Sequence, residues 1–441
     1  MRFWIPLLFL ALVLRLGAAV YWQERICGEN PFYFGDSETY WELAQAIAEG
    51  KPYEFSEYRW QIFRTPGYPV LLAPLFVLFG ENPPVYAARI LGAFLGTATV
   101  AAVGWLSFLL LNNRNAARFA AVIIACDPCQ VLTSVFVLSE APFCLLMVLQ
   151  LAFWIKGRLG VRASRPLSFS IAGETPANPG AGETPALQFI LCGFLYAAAV
   201  YCRPSWLYFV PFAMLFDVFA ERHSKRLLVE YGTIFLVFAV AMTPWWVRNY
   251  RITDRFVATS LQMGPSLYDG LNPNADGGSQ MDFVDRFREE ERADPSGDPD
   301  QDIYEYRVDE RMKHAAMQWA WRNPGRTVEL AGIKFVRFWN FWPNEPSFSS
   351  LPVRLLIVIT YVPVLIGAIG GIGVTWKRGF PFWLCWIPAV YFTALHLIFV
   401  SSLRYRVPAM LLLAILAGIF FTWECKNSFF TLFTKKITPQ P

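Results

Sequence analysis

Residues 67–80 read GYPVLLAPLFVLFG, and whether this run crosses a membrane decides the sidedness of everything after it. The run is apolar throughout, yet it is only fourteen residues long and is interrupted by Pro69 and Pro74. A helix needs about 20 apolar residues to cross the hydrocarbon core of a bilayer. Residues 67–80 therefore read as an interfacial or re-entrant segment.

Working outward, the rest of the chain supplies runs long enough to span. Candidates are 3–22, 86–111, 117–138, 139–156, 188–202, 204–219, 229–247, 352–375, 380–400 and 407–423. The 441 residues are 55% hydrophobic and 16% charged, where a soluble domain carries about a quarter charged residues. Many of the 17 Trp stand near the ends of the apolar runs, the place of an interfacial aromatic belt. The expected architecture is an all-α polytopic membrane protein with about ten spans. Arg2 before an apolar stretch has the look of a signal peptide, but the stretch is long and more spans follow, so it reads as a retained first span.

Lys and Arg placement tests the reading of 67–80. If it does not cross and the N-terminus is inside, the inside loops hold Arg114 and Arg118; Lys156, Arg158, Arg162 and Arg165; Arg222, Lys225 and Arg226; Lys377 and Arg378; and Lys426, Lys435 and Lys436. This is the positive-inside pattern, and a crossing 67–80 exports nearly all of it. The outside then receives a first loop, 23–85, and a larger segment, 250–349. The expected division is 1–249, 250–349 and 350–441, with an amphipathic first outer loop and a small outer domain. Residues 326–342 mix aromatic and basic positions and read as a helix on the membrane surface.

Several chemistries are excluded. Three scattered His argue against a His-based zinc site or a Ser-His-Asp triad. Cys126 and Cys129 have redox-motif spacing but lie in an apolar run with no βαβ pattern. A net charge of +4 gives no reason to expect nucleic acid. The Gly/Pro/Ala-rich insert 157–187 repeats AGETPA at 172–177 and 181–186 and reads as a flexible segment.

The outer face collects the chemistry. The stretch 35–47, GDSETYWELAQAI, opens a helix with Tyr40, Leu43, Ala44 and Ile47 on one face. Asp36 there is either an N-cap or a functional carboxylate beside the membrane. Arg64 and Tyr68 lie in RTPGYP, 64–69, where Arg64 serves as an interface anchor or faces an anionic head group. Ser139-Glu140 falls between two apolar runs, where a carboxylate is a polar hairpin tip or a functional group. Arg203, Arg248, Arg404, Tyr405 and Arg406 stand at outer ends of later spans, against the positive-inside tendency. Arg15, within the first span, either snorkels or functions. Arginines collected with two carboxylates on one face suit phosphate binding.

These motifs, in this order, resemble the GT-C glycosyltransferases, in particular glycosyltransferase family 39, with its protein O-mannosyltransferases and aminoarabinose transferases of lipid A. The resemblance rests on 35–40, 64–69, Ser139-Glu140, Arg203-Pro204, Pro244-Trp245 with Arg248-Asn249, and 404–408. It implies a GT-C-like bundle and an enzyme that takes sugar from a polyprenyl-phosphate donor to a lipid, glycan or protein acceptor. It implies an active site facing the periplasm or exterior of the inner (plasma) membrane. Asp36 matches the family's first-loop acid and takes the general-base role, and Glu140 orients an Arg or the acceptor. Arg64, Tyr68, Arg203, Arg248, Arg404, Tyr405 and Arg406 are expected around the substrate. No cofactor is expected; a divalent cation at Asp36 and Glu140 stays open. Protein O-mannosyltransferases carry an Asp-Glu pair where this chain has Asp36-Ser37, with Glu38 one place later, which leaves the acceptor open. Rival readings are a transporter or flippase of lipid-linked glycans and an O-antigen polymerase or ligase.

Overall fold

The computed structural model describes residues 2–25, 31–163, 185–220, 225–296, 302–341 and 350–434. The first copy of the AGETPA repeat, most of the second, and Arg165, Arg222, Lys435 and Lys436 lie outside the described residues.

The described chain is helical, with one isolated bridge between Phe55 and Trp60. The first half runs α1 (Trp4–Arg25), α2 (Gly35–Ala48), α3 (Gly67–Phe79), α4 (Val85–Leu111), α5 (Arg114–Cys126), α6 (Pro128–Val135), α7 (Glu140–Ala163), α8 (Pro185–Cys202), α9 (Phe209–Ala220) and α10 (Lys225–Thr253). Then come α11 (Met263–Gly270), α12 (Phe283–Ala293), α13 (Tyr304–Arg322) and α14 (Pro324–Trp339). The last group is α15 (Leu351–Thr375), α16 (Phe380–Trp383), α17 (Ile387–Ile398) and α18 (Leu403–Thr434).

Seven of the described helices are long and apolar enough to cross a membrane, and the α5–α6 pair is an eighth if counted as one broken span. The remaining two sequence candidates form shorter apolar helices, Pro204–Phe219 and Ile387–Ile398. The chain is a multi-pass membrane protein. Large apolar side chains such as Phe9, Leu78, Leu236 and Ile359 stay exposed along the helices, as faces turned to lipid require. The 67–80 run forms the 13-residue α3, too short to cross.

The run 117–138 does not continue as one helix. It bends by 58° between α5 and α6, because Pro128 disfavours helical backbone at Asp127. Asp127 is extended there and its carboxylate accepts the Gln130 N–H at 3.0 Å, capping α6. Arg15 serves the other side of the break. It is buried rather than snorkelling, and it donates to the Ile124 and Ala125 carbonyls at the end of α5.

Two further features position the site. An apolar cluster joins α11, α12 and α13 through Tyr268, Phe287, Val308 and Met312, and Trp60 of the first loop belongs to it. The two large non-spanning segments thus fold as one body. The amphipathic α14 buries Leu330, Lys334 and Phe338 and exposes Val328, Phe335 and Val336. Lys334, expected among surface basic positions, is instead inside and donates to the Gly270 and Ile398 carbonyls at 2.8 and 2.5 Å.

Candidate active site

Three helix starts and two loops converge at one end of the bundle. The approach to α2 is held by an aromatic knot: Tyr33 takes a left-handed backbone (φ 62°) and packs on Trp22, while Phe34 packs on Phe136. Phe34 is the residue before the helix and makes no side-chain cap, so Asp36 falls in the first turn. Its carboxylate gains from the helix dipole there, yet it is not spent on capping and turns toward two arginines.

Arg64 arrives from the loop before α3. Gly67 makes this approach possible, because a Cβ at that position would stand 2.5 Å from the Tyr201 carbonyl carbon. The backbone ahead of α3 thereby closes on the end of α8, one residue before Arg203. Glu140 is the first residue of α7, and Arg404 lies in the first turn of α18.

The result is an alternating chain of charge. Arg64 Nη2 donates to Asp36 Oδ1 at 2.5 Å, and Arg404 Nη2 donates to Oδ2 at 3.2 Å. Arg404 Nε stands 2.9 Å from Glu140 Oε1, and Arg203 Nη1 stands 2.9 Å from the same oxygen. Three guanidiniums face two carboxylates, an excess of one positive charge. Glu140 is sealed, whereas the Asp36 side chain keeps 34% of its surface. Burial works against the ionised Asp36, but Arg64 and Arg404 outweigh it and hold the carboxyl well below the usual carboxylate range.

The remaining expected residues divide. The Tyr405 ring lies 5.3 Å from the Arg203 guanidinium and 5.1 Å from that of Arg404, and stacks on His396 at 4.4 Å. Tyr68 is buried edge-on against Tyr40 in the apolar contact between α2 and α3. Arg248 donates to the Tyr53 carbonyl at 3.2 Å and lies over Trp245. Arg406 donates to the Phe338 and Asn340 carbonyls and sits 3.7 Å from the Tyr361 ring centroid. Both guanidiniums are engaged by backbone, away from the Asp36–Glu140 chain.

Sequence reasoning missed the residues that steady Arg64. Its Nε donates to Thr39 Oγ1 at 3.2 Å and its Nη1 to Gln262 Oε1 at 3.1 Å. Thr39 stood in the quoted motif and one helical turn after Asp36, a signal that was available. Gln262 carried none, being a lone polar residue nearly two hundred positions away.

Among the described residues, no three or more His, Cys, Asp or Glu side chains are grouped to hold a metal ion. Asp36 and Glu140 do not fit a divalent cation as arranged: Arg404 lies between them and occupies an oxygen of each, where a hard cation needs several oxygen ligands at once.

Residues 70–173 match the family model described as Dolichyl-phosphate-mannose-protein mannosyltransferase. That match takes in Glu140 and stops short of Asp36 and the three arginines. By sequence, no curated protein matches the chain. By fold it is similar to the archaeal oligosaccharyltransferase AglB from Archaeoglobus fulgidus in complex with an inhibitory peptide and a dolichol-phosphate, with 13% identity and a TM-score of 0.59. That similarity covers 99% of this chain and 52% of that one. A second Archaeoglobus fulgidus oligosaccharyltransferase structure, tethered with an acceptor peptide containing the NVT sequon, gives 13% identity and a TM-score of 0.58, over 95% and 49%. ArnT from Cupriavidus metallidurans in the apo state gives 14% identity and a TM-score of 0.39, over 88% and 73%. The chain spans about half the length of the oligosaccharyltransferase structures it matches. The resemblance to GT-C glycosyltransferases read from the ordered motifs is borne out by the family match and the shared fold.

Proposed function

We propose that the chain is a glycosyltransferase that moves a sugar from a polyprenyl-phosphate donor to a hydroxyl or phosphate of a lipid, glycan or protein acceptor. In this reading the site faces the periplasm or exterior of a bacterial-type inner membrane, the side that the positive-inside bias assigns to Asp36. Segments 1–249 and 350–441 are the membrane body, and 250–349 covers the site. The single observation that carries the reading is the run Arg64–Asp36–Arg404–Glu140–Arg203, cationic by one charge and open at Asp36. The family match and the shared fold support the same class of reaction.

Asp36 is the general base and the arginines receive the leaving phosphate. Both Asp36 oxygens hold guanidiniums, and so paired the carboxylate is a weak base. A donor phosphate entering beside Arg64 and Arg404 competes for the same N–H groups. Asp36 then loses the partners that depress its pKa and gains proton affinity when a substrate is present. The acceptor oxygen gives its proton to Asp36 and attacks the anomeric carbon from the side opposite the phosphate. The bond from that carbon to the phosphate oxygen breaks, the polyprenyl phosphate leaves with the electron pair, and the sugar is inverted. Arg64, Arg404 and Arg203 stabilise the charge on the departing phosphate. Glu140 holds both Arg203 and Arg404, each 2.9 Å from its Oε1.

The test is sugar transfer by purified protein in lipid, with a panel of polyprenyl-phosphate sugars and with lipid A and peptides as acceptors. Turnover by wild type, lost in a folded Asp36→Asn variant, supports the reading and names the donor. Full activity in that variant removes Asp36 as the base. No donor consumption by wild type favours a carrier of lipid-linked glycans over an enzyme.

A further inference from the structure

Arg64 has a support that the reaction scheme does not use. The loop segment carrying it, 61–64, lies beside 261–264, which enters α11, with the Leu261 N–H donating to the Ile62 carbonyl at 3.2 Å. Gln262, in that second segment, accepts from Arg64 Nη1. Both segments end on α13. Glu305 Oε2 accepts the Gln61 N–H at 2.8 Å and the Ile62 N–H at 3.2 Å, and Oε1 lies 3.1 Å from the Ile62 nitrogen. Four residues on, Asp309 Oδ1 accepts the Gly264 N–H at 2.7 Å.

The spacing has a physical logic. Residues i and i+4 share a helix face, so Glu305 and Asp309 form one edge that grips two backbones at once. Both are almost fully buried. A buried carboxylate is costly unless hydrogen-bonded, and here the bonds come from the backbone that flanks Arg64 and Gln262. Gly264 completes the fit, because a Cβ there would stand 2.0 Å from the Asp309 carbonyl oxygen. Only glycine lets the 261–264 segment lie against α13.

We propose that Glu305 and Asp309 are positioning residues for Arg64: α13 sets the distance between the 61–64 and 261–264 backbones, and through it the aim of the guanidinium at Asp36. The phosphate-binding part of this inference rests on the function proposed above; the aiming of Arg64 does not. It extends the site to a segment of the chain about 240 residues from Arg64 that holds none of the charges in the reacting chain.

Two measurements on the full-length protein in nanodiscs test it. The first is amide hydrogen exchange. Glu305→Ala is expected to raise exchange at 61–62 and also in 35–42, where Arg64 docks, while peptides near 150–158 stay protected. Should Glu305→Ala fail to fold, Glu305→Asp withdraws the carboxylate from both N–H groups and keeps the charge. Unchanged exchange in 35–42 in a variant that has lost protection at 61–62 overturns the proposal whatever the ligand does. The second is binding of undecaprenyl phosphate to wild type, Glu305→Ala, Arg64→Ala and the double variant. The loss of a buried acceptor predicts a roughly tenfold weakening in Glu305→Ala and less than about a further twofold in the Arg64→Ala background. Glu305→Gln retains an oxygen for the two N–H groups and restores binding to within about twofold of wild type. An equal loss from Glu305→Ala with and without Arg64 shows that α13 acts independently of it and overturns the proposal. Wild-type and Arg64→Ala proteins that bind the probe alike sink the phosphate reading instead, and the exchange result still decides the positioning.

Discussion

Among the described residues, two clusters of carboxylates and arginines in the helical bundle are built to opposite specifications. At the site, three arginines meet two carboxylates, and Asp36 keeps a third of its side chain open. Toward the other end of the bundle, Arg158 meets two carboxylates, Asp217 and Glu230, and all three side chains are at most 3% exposed. Arg158 donates to both Asp217 oxygens, and its Nε reaches Glu230 Oε1 at 2.6 Å. Trp154 and Tyr231 add their own donors to Glu230 and Asp217, and Phe380 lies under the guanidinium. This cluster ties α7, α9 and α10 together and leaves no face for a ligand. The difference teaches that an intramembrane ion pair reports function only when its sign and its opening suit a substrate; otherwise the same residue types serve packing.

The sharpest break of the comparison is a pair of substitutions read in two assays. Asp36→Asn should reduce sugar transfer by about 10²–10⁴-fold, the usual worth of a general base, with little change in thermal stability. Arg158→Ala should do the converse, costing about 3–5 kcal/mol of stability by leaving buried carboxylates uncompensated, with turnover per folded molecule retained. A stable, inactive Arg158→Ala protein would erase the distinction drawn here. Next in size is Arg404→Lys. Lysine keeps the charge but cannot engage Asp36 and Glu140 from two nitrogens of one fork, so the KM for the donor should rise by roughly tenfold. Arg248→Ala, outside the chain of charges, should change transfer by less than about threefold and stability by about 1 kcal/mol. An effect as large as that of Arg404 would place Arg248 on the substrate.

The smallest expected effect concerns pH. Burial pushes the Glu305 carboxyl up to about 7, against the pull of the Gln61 and Ile62 N–H groups. Arg248 and Asp309 are the charged groups facing it, the first favouring the ionised form and the second opposing it. A raised folded-state pKa means that the folded protein binds this proton more tightly than the unfolded chain does. The stability it contributes is full below the ordinary carboxyl range and is lost as pH rises through about 7. Thermal melts of wild type should therefore fall between pH 5 and pH 8, and the fall should shrink by ~2–4 °C in Glu305→Gln. An identical pH slope in both proteins would show that Glu305 does not titrate there.

Much of the architecture was legible because the bilayer imposes strict rules. The length rule identified α3 as non-spanning, and α1, α4, α7, α8, α10, α15 and α18 all fall on runs read as spans. Where the reading of helices departed from the structure, the cause was local. Pro128 broke the run 117–138, and Asp127 and Arg15 then capped the two ends. The site was partly legible for a related reason: an arginine or carboxylate at the edge of an apolar run is conspicuous. Asp36, Arg64, Glu140, Arg203 and Arg404 were all readable in that way, and the structure brings all five together. Arg248 and Arg406 were equally conspicuous, and they are taken up by backbone carbonyls instead. Edge placement alone cannot distinguish a guanidinium aimed at a carboxylate from one aimed at a carbonyl.

The sequence by itself determined that the chain lives in a membrane, which runs are too short to cross, and which end gathers the charges. These follow from hydropathy and charge along the chain, quantities that need no knowledge of contacts. Tertiary structure alone decided that Asp36 faces Arg64 and Arg404 rather than capping its helix, that Gln262 and α13 steady Arg64, and that Arg158, Asp217 and Glu230 form a sealed clamp. Each of these depends on which groups lie within hydrogen-bond reach, across separations from 28 residues to 368. No local propensity encodes such distances; they are set by how the helices pack.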